Sequence, residues 1–453
     1  MDRKALAVAV GALFVAPAVQ AQITFGNDEI GTMQIYGRLY PELMTSKTSG
    51  STGTCTGCVS TMAQTAGNNT AAADQGTHFG LQTSNSRLGF RGERKLPARM
   101  KAIWQLEQTI NFEDPDDVAN NCNTPPSATA GNTIDCTANG GVSSTDVRFA
   151  TRNSFVGLSG GFGSVKLGNM DTVYKEYGDT LNMFGVKSGN FTSASNMLSH
   201  IGIGTNGLAR FHERAPNSIM YETPQFAGIT AGAQYMPDER HGDPAVTQNK
   251  RLWSYGIKYD SERFYVSLAH EIHKDFFGLS RNVANGLRNF FRNDGTGDDQ
   301  HASSKDTATR LSGTLRIIPG HEFTVDISKL KWTEAASIPL TAQRIQEYKH
   351  TTWALGWEGR FGGGWRGSAQ YVKAGAGSCS FQGPGALSCT TTGLNSYMIS
   401  LGAALDLTRQ TRLFALANWT KNGESARYDS SSLLSPARGA DITSYGIGIL
   451  YDF

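Results

Sequence analysis

The end of the printed sequence alternates between two kinds of side chain, and this alternation leaves few possible folds. In steps of two back from Phe453, residues 451 to 443 read Tyr, Ile, Ile, Tyr and Thr, whereas the positions between them are small or polar apart from Leu450. A period of two is typical of a strand with two unlike faces. An aromatic final residue fits a strand that closes a membrane barrel and leaves no unpaired edge. The alternative is an ordinary amphipathic edge strand.

The same alternation recurs along the whole chain. Residues 253–259 and 323–328 are clear examples, with large apolar side chains at one set of alternate positions and small, polar or charged ones at the other. About sixteen such segments occur, and no marked helical periodicity separates them. The sequence therefore predicts an all-β fold.

Connections between these segments are alternately short and long. The predicted short turns are at 96–98, 160–163, 225–228, 261–262, 319–320, 362–364 and 408–410. The predicted long polar loops are at 113–147, 170–214, 238–250, 273–306, 334–348, 374–393 and 422–439. This rhythm indicates hairpins whose two ends face different environments, as in a transmembrane antiparallel β-barrel with long extracellular loops. Charges on the polar faces, with about sixteen strands, predict a lumen wide enough to hold water.

The first residues have the form of an export signal. A charged start is followed by an apolar run, and residues 19–21 end it in a small-x-small pattern, which predicts a signal peptide over 1–21 and a barrel domain over 22–453. No run approaches the ~20 apolar residues of a spanning helix. The formal net charge of +2 argues against nucleic acid as a partner.

Six cysteines fall into three local pairs in polar segments: Cys55 with Cys58, Cys122 with Cys136, and Cys379 with Cys389. For an exported chain this pattern favours disulfides within surface loops. The Cys55–Cys58 spacing is also that of a redox or zinc motif, although it has neither a second pair at zinc spacing nor a βαβ context.

Five short segments resemble the general diffusion porins of Gram-negative bacteria, most closely the β-proteobacterial type. They are residues 34–39 (QIYGRL), 86–93 (SRLGFRGE), 152–158 (RNSFVGL), 217–221 (NSIMY) and 451–453 (YDF). The resemblance implies a sixteen-stranded homotrimeric barrel in the cell outer membrane, in contact with lipid and lipopolysaccharide. It also implies a third loop that folds inward and narrows a channel for passive diffusion of ions and small hydrophilic solutes.

The resemblance further implies a ladder of pore-lining basic residues. Matched position by position, it falls on Arg38, Arg87, Arg91, Arg152 and Arg214. The alternation independently points the first four of these side chains inward. The inward loop would run from 168 to about 212, and its acidic residues Asp171, Glu176 and Asp179 would face the ladder. Its tip is expected at 180–185, where the acidic turn found in many family members is missing.

The expected site is a charged waist without catalytic groups, metal or cofactor. Opposed charges would create a transverse field, and the excess of basic groups favours a weak preference for anions. An adhesin or receptor barrel acting through its long loops is the alternative, as is a substrate-specific porin with Tyr36 and Tyr40 on a solute track. A rim hydrolase at His270, Glu271 and His273 lacks the spacing of a helical zinc motif. Acidic stretches at 113–117 and 298–299 allow a calcium site but are typical of solvated loops.

Overall fold

A computed structural model describes most of the chain, and the structural statements below refer to these residues. They are 23–27, 31–52, 74–83, 85–111, 152–203, 210–237, 250–275, 279, 302–336, 339–430, 433–434 and 436–453. The predicted signal peptide at 1–21 and four of the six cysteines (Cys55, Cys58, Cys122 and Cys136) lie outside them.

Twenty strand segments and two short helices make up the described chain. The first ten strands are β1 Ile23–Asn27, β2 Gly31–Leu39, β3 Glu42–Ser49, β4 His78–Gln82, β5 Arg87–Leu96, β6 Met100–Thr109, β7 Ser154–Gly160, β8 Gly163–Asp171, β9 Arg214–Glu222 and β10 Ile229–Met236. The others are β11 Arg251–Asp260, β12 Phe264–Lys274, β13 Ala302–Ile318, β14 His321–Ala336, β15 Arg344–Arg360, β16 Trp365–Ala374, β17 Ser378–Gln382, β18 Ser396–Asp406, β19 Thr411–Asn422 and β20 Asp441–Asp452. The helices are α1 Val173–Gly178 and α2 Ser195–Leu198, and a 3₁₀ turn spans Gly362–Gly364. No helix in the described ranges is long and apolar enough to cross a membrane.

These segments form a closed antiparallel barrel with sixteen strands in its wall, as predicted. Three wall strands are each interrupted once: β2 continues into β3, β4 into β5, and β16 into β17. Strand β20 pairs with both β2 and β3, and β15 pairs with both β16 and β17, so each pair occupies a single place in the wall. The first interruption contains Pro41, which has no N–H to donate to a neighbouring strand. Strand β1 forms a hairpin with β2 and adds no place to the ring.

The ring closes between its first and last strands. Arg38 lies opposite Asp452 and Leu39 opposite Tyr451. The N–H of Gly37 donates to the carbonyl of Phe453 at 2.9 Å, and the N–H of Phe453 donates back at 3.1 Å. Both edges of the sheet are therefore paired at the seam.

The alternating residues point to opposite sides of the wall. On β11 the side chains of Trp253, Tyr255 and Ile257 are nearly half exposed on the outside, whereas Ser254 is fully buried on the inside. This orientation gives the barrel an apolar outer surface and a mainly polar inner one, which is the arrangement that the sequence predicts.

All seven predicted short turns connect adjacent strands at one end of the barrel, called here the short-turn end. The other strand ends, between which the longer connections run, lie at the opposite end of the barrel. The loop predicted at 334–348 is shorter than expected, because β14 extends to Ala336 and β15 begins at Arg344.

The loop predicted at 374–393 contains strand β17 and the Cys379–Cys389 disulfide, with Cα atoms 5.6 Å apart. That disulfide is therefore confirmed.

The connection between β8 and β9, which is the third long one when that between β3 and β4 is counted, folds into the barrel as predicted, and its described residues, 172–203 and 210–213, are called here the inward loop. Helix α1 lies against β10–β13 and α2 against β15 and β16. The N–H of Tyr174 donates to Ser254 Oγ at 2.8 Å, and the carbonyl of Tyr177 accepts from Ser267 Oγ at 2.7 Å. Apolar side chains on the inner wall, such as Trp332, pack beneath the loop. In a ring of sixteen, β12 and β13 stand opposite β2 and β5, so helix α1 lies across the lumen from these two strands.

Candidate functional site

The tip of the inward loop, residues 182–186, is a tight turn. Met183 and Val186 form a short β-bridge with each other, and between them Phe184 and Gly185 have positive φ angles of 56° and 87°. Two successive residues in the left-handed region are typical of a type I′ turn, in which glycine is common and phenylalanine is not. The chain reverses direction at this turn, within hydrogen-bonding reach of side chains on β2, β15 and β19.

Three side chains from the wall bind the backbone of this tip. Arg38 Nη1 donates to the carbonyl of Gly185 at 2.9 Å, and Arg412 Nη1 donates to the carbonyl of Phe184 at 2.6 Å. Glu358 Oε2 accepts from the N–H of Phe184 at 2.9 Å. The first ladder residue therefore contacts the inward loop directly.

Arg38 also makes a two-pronged ion pair with the last wall strand. Its Nε lies 2.6 Å from Asp452 Oδ1, and its Nη2 lies 2.9 Å from Asp452 Oδ2. Because a guanidinium and a carboxylate match in this planar geometry, the pair fixes the direction of the remaining Nη1 donor.

Two more ladder residues share one carboxylate. Arg152 Nε lies 2.6 Å from Glu107 Oε1, and Arg87 Nε lies 3.5 Å from Glu107 Oε2. The hydroxyl of Tyr36 also donates to Glu107 Oε2, at 3.1 Å. Glu107 is buried, whereas the side chains of Arg87 and Arg152 are 24% and 17% exposed. The two guanidinium groups therefore carry more positive charge than their single partner offsets.

Arg91 lies further along β5, towards the short-turn end. Its Nε donates to the side-chain oxygen of Gln34 at 2.9 Å, and its guanidinium lies 4.9 Å from the centre of the Tyr36 ring. The structure thus brings Arg38 on β2, Arg87 and Arg91 on β5, and Arg152 just before β7 onto one part of the wall, with β6 between β5 and β7.

Arg214 and Asp171 are placed together, on β9 and β8. Arg214 Nε lies 3.1 Å from Asp171 Oδ1, and Lys175 Nζ lies 2.8 Å from the same oxygen. Asn153 donates to Asp171 Oδ2 at 2.9 Å. This acidic residue ends strand β8 rather than projecting from the middle of the inward loop.

The other two predicted acidic residues lie apart from the four-arginine wall. Glu176 is exposed on α1. Asp179 is buried and pairs with His212, which joins the two limbs of the inward loop. Burial alone would raise the pKa of Asp179, but the neighbouring His212 and Arg310 outweigh it and the pKa lies below its usual range. Arg310 is itself paired with Asp326 at 2.6 Å on β13 and β14, on the far side of the lumen.

The sequence reasoning did not find a second group of charged residues on the wall. Arg366 Nη2 lies 2.6 Å from Asp406 Oδ2, and Arg412 Nε lies 2.5 Å from Asp406 Oδ1. Arg366 Nη1 also lies 3.3 Å from Glu358 Oε1. The available signal was the turn at 407–410, because Asp406 and Arg412 flank it and stand directly opposite each other as a cross-strand pair of opposite charge.

An open cavity of about 580 Å³ lies beneath the tip at the short-turn end. Its walls combine basic residues with carboxylates, and the tip residues Asn182, Phe184 and Gly185 form part of its boundary. Tyr40 does not line this space. It is buried, stacks on Phe414 with ring centres 4.6 Å apart, and accepts a hydrogen bond from Asn190 of the inward loop. The track proposed for Tyr36 and Tyr40 is therefore broken at Tyr40, because the loop covers it.

No group of three or more His, Cys, Asp or Glu side chains suited to a metal ion is found among the residues that the structure describes. His273 Nε2 lies 2.9 Å from Glu271 Oε1. Both residues are buried beneath the inward loop, whereas the hydrolase alternative would need them at the rim of the barrel.

Comparison with known proteins finds similarity in both sequence and fold. A sequence profile described as Gram-negative porin matches residues 5–453. The major outer membrane protein P.IB of Neisseria sicca is 23% identical over 358 residues, covering 75% of this chain and 79% of that protein. The Neisseria lactamica protein of the same description is 28% identical over 184 residues, covering 41% of each chain. In several of these matches the chain therefore spans half or less of the curated relative.

Solved structures show the same fold. An anion-selective porin from Comamonas acidovorans superposes with a TM-score of 0.60 at 19% identity, covering 93% of this chain and all of that one. OmpT of Vibrio cholerae in its trimer form gives 0.53 at 13% identity, covering 93% and 99%. At these identities the likeness concerns the fold alone.

Proposed function

The chain belongs to the Gram-negative porin family, and on that basis we propose that it forms a water-filled channel through the outer membrane for passive diffusion of ions and small hydrophilic solutes. The observation that carries this proposal is the unequal filling of the lumen. Helix α1 packs on one side of the lumen and the loop tip reaches Arg38 on the other, where the side chains of Arg38, Arg87 and Arg152 stay partly exposed.

The charges around the tip support a preference for anions. Six arginines share this region with four carboxylates: Arg38, Arg87, Arg91, Arg152, Arg366 and Arg412 with Glu107, Glu358, Asp406 and Asp452. The local excess of positive charge lowers the energy of an anion in the waist relative to a cation. Arg214 and Asp171 offset each other further along the wall and add little to this excess.

Assembly and export follow the family pattern in this proposal. We propose a homotrimer, in line with the trimer form of the Vibrio cholerae OmpT structure, and removal of residues 1–21 on export. Contacts with lipid and lipopolysaccharide are part of the same proposal. No catalytic role is proposed, because the matched relatives are outer membrane proteins of a channel family.

The test is single-channel conductance in a planar bilayer, with the reversal potential measured across a KCl gradient. We expect stepwise openings in groups of three. We also expect a reversal potential whose sign shows that chloride is more permeant than potassium. Openings with a cation preference would contradict the proposed anion selectivity but not the proposal that the protein forms a channel. A protein that inserts without conducting would overturn the channel itself and favour a receptor barrel acting through its long loops.

A further inference from the structure

Phe184 has an unusual backbone for so large a residue. Its φ of 56° lies in the left-handed region, which a bulky side chain rarely adopts. Such a conformation persists only when surrounding contacts hold it in place. The side chain of Phe184 is buried against Phe414 and Leu416 on the inner wall, which supplies one part of that hold.

The other part is a closed ring of polar contacts through the wall. From the carbonyl of Phe184 the ring runs to Arg412 (2.6 Å), Asp406 (2.5 Å), Arg366 (2.6 Å) and Glu358 (3.3 Å), and from Glu358 back to the N–H of Phe184 (2.9 Å). Both backbone polar groups of this one residue are thus bound, by side chains from β19 and β15. We call this ring the tip clasp.

The clasp is built from ion pairs that orient its members. Asp406 lies between Arg366 and Arg412 and holds both guanidinium groups on the inner wall, where Arg412 reaches the loop. Hydrogen bonds between charged groups are about twice as strong as neutral ones. The Nη1 donor of Arg412 is occupied by the Phe184 carbonyl, so at that position the arginine holds the loop instead of meeting a passing solute.

We propose that the tip clasp determines the size limit of the channel, with Arg412 as the positioning residue that holds the loop tip against the wall. The proposal rests on the channel function proposed above and assigns it a device separate from the arginine ladder. Release of Phe184 would leave the backbone of residues 182–186 held to the wall by a single side-chain hydrogen bond, from Arg38 to the Gly185 carbonyl. The passage beside the tip would then admit larger solutes.

The first variant is Arg412→Met, which keeps the length of the side chain and removes its donors and charge. Loss of a charge-assisted hydrogen bond is expected to raise the hydrogen–deuterium exchange rate of the Phe184 amide by about tenfold, measured by mass spectrometry on the tip peptide. In liposome swelling, the same variant should admit sugars that wild-type protein excludes. Arg412→Lys keeps the charge and N–H donors but loses the planar guanidinium that binds Asp406 and Phe184 at once, and should fall between wild type and Arg412→Met in both measurements.

Arg409→Met is the matched control, because Arg409 is an exposed arginine in the neighbouring turn and does not line the cavity. It should match wild type in both assays. Asp406→Asn leaves both direct contacts to Phe184 in place and breaks only the middle of the ring. Its exchange rate should rise, by less than that of Arg412→Met. This variant decides the question if Arg412→Met does not fold.

The proposal fails if Arg412→Met keeps the wild-type exchange rate and sugar limit, or if Arg409→Met changes them equally. It also fails if Arg412→Lys behaves as Arg412→Met does. The exchange measurement needs no ion current. A non-conducting wild-type protein with a protected Phe184 amide would therefore overturn the channel function and leave the clasp standing.

Discussion

Glu107 shows how a single side chain sets the local charge of the waist. It is buried between Arg87 and Arg152 and also accepts a hydrogen bond from Tyr36. Removal of such a partner leaves its arginines with uncompensated charge. Glu107 thus limits the positive charge that the ladder presents to ions, and it holds the two arginine side chains at fixed positions.

We expect Glu107→Gln to strengthen the anion preference. One unit of negative charge is removed close to the ion path, and a change on the order of 1 kcal/mol in the energy of a passing ion corresponds to about a fivefold change in the permeability ratio. The reversal potential in a KCl gradient measures this ratio. Glu424→Gln, an exposed glutamate in a long loop, is the control and should leave the ratio unchanged. A shift towards cations would contradict the assigned role of Glu107.

At the scale of elements, the two limbs of the inward loop are joined by the buried pair of Asp179 and His212. Asp179 follows α1, and His212 lies two residues before β9. The pKa of Asp179 is lower in the folded protein than the usual value of about 3.9. The pair therefore contributes stability that is fully present above that value and is lost as the pH falls through the folded pKa.

We expect acidification below about pH 4 to loosen the inward loop, because protonation of Asp179 removes its attraction to His212. Trp332 reports this change, since its ring lies 5.8 Å from that of Phe211, next to His212. The measurement is the Trp332 contribution to fluorescence, obtained by difference from Trp332→Phe. In Asp179→Asn this acid-dependent step should be missing, and an unchanged step in that variant would assign it to another group.

The wall strands could be predicted from the sequence, but the inner surface under the loop could not. Alternation decides which residues share a face, as in Trp253 and Tyr255 against Ser254. It does not show that part of the inner face is covered by the inward loop and shielded from water. Alternation places Trp332 and Tyr348 on the inner face, but they are buried there because the inward loop covers them, and this depends on contacts between residues far apart in the chain. For the same reason the sequence suggested that Tyr40 lines a solute track, whereas Asn190 and Phe414 enclose it.

The candidate site was predictable only in part, again for physical reasons. The ladder arginines follow from alternation and from short motifs. The roles of Glu358 and Arg412 depend on a loop tip that reaches them from more than 170 residues earlier in the chain. The sequence did not indicate the direction in which the acidic side chains of the inward loop point, since a loop has no regular alternation of side-chain direction. Their partners, Arg214 for Asp171 and His212 for Asp179, became evident only in the folded chain.

At the scale of the whole molecule, the proposed selectivity depends on an electric field that salt weakens. The Debye length falls from about 10 Å at 0.1 M to about 3 Å at 1 M. We expect the anion-to-cation permeability ratio to fall towards the ratio of the bulk mobilities as KCl rises over this range, measured as reversal potential at a constant gradient. A ratio that does not depend on salt would indicate selection by direct ion binding instead of by the field.

The seam between Arg38 and Asp452 joins residues 414 positions apart in the chain. One edge of the first wall strand therefore stays unpaired until the last strand has been synthesised and exported. Loop closure over such a separation is slow, and an open strand edge is a site of aggregation in the meantime. We therefore expect the pairing of the first and last strands to be the step at which aggregation competes with formation of the closed barrel.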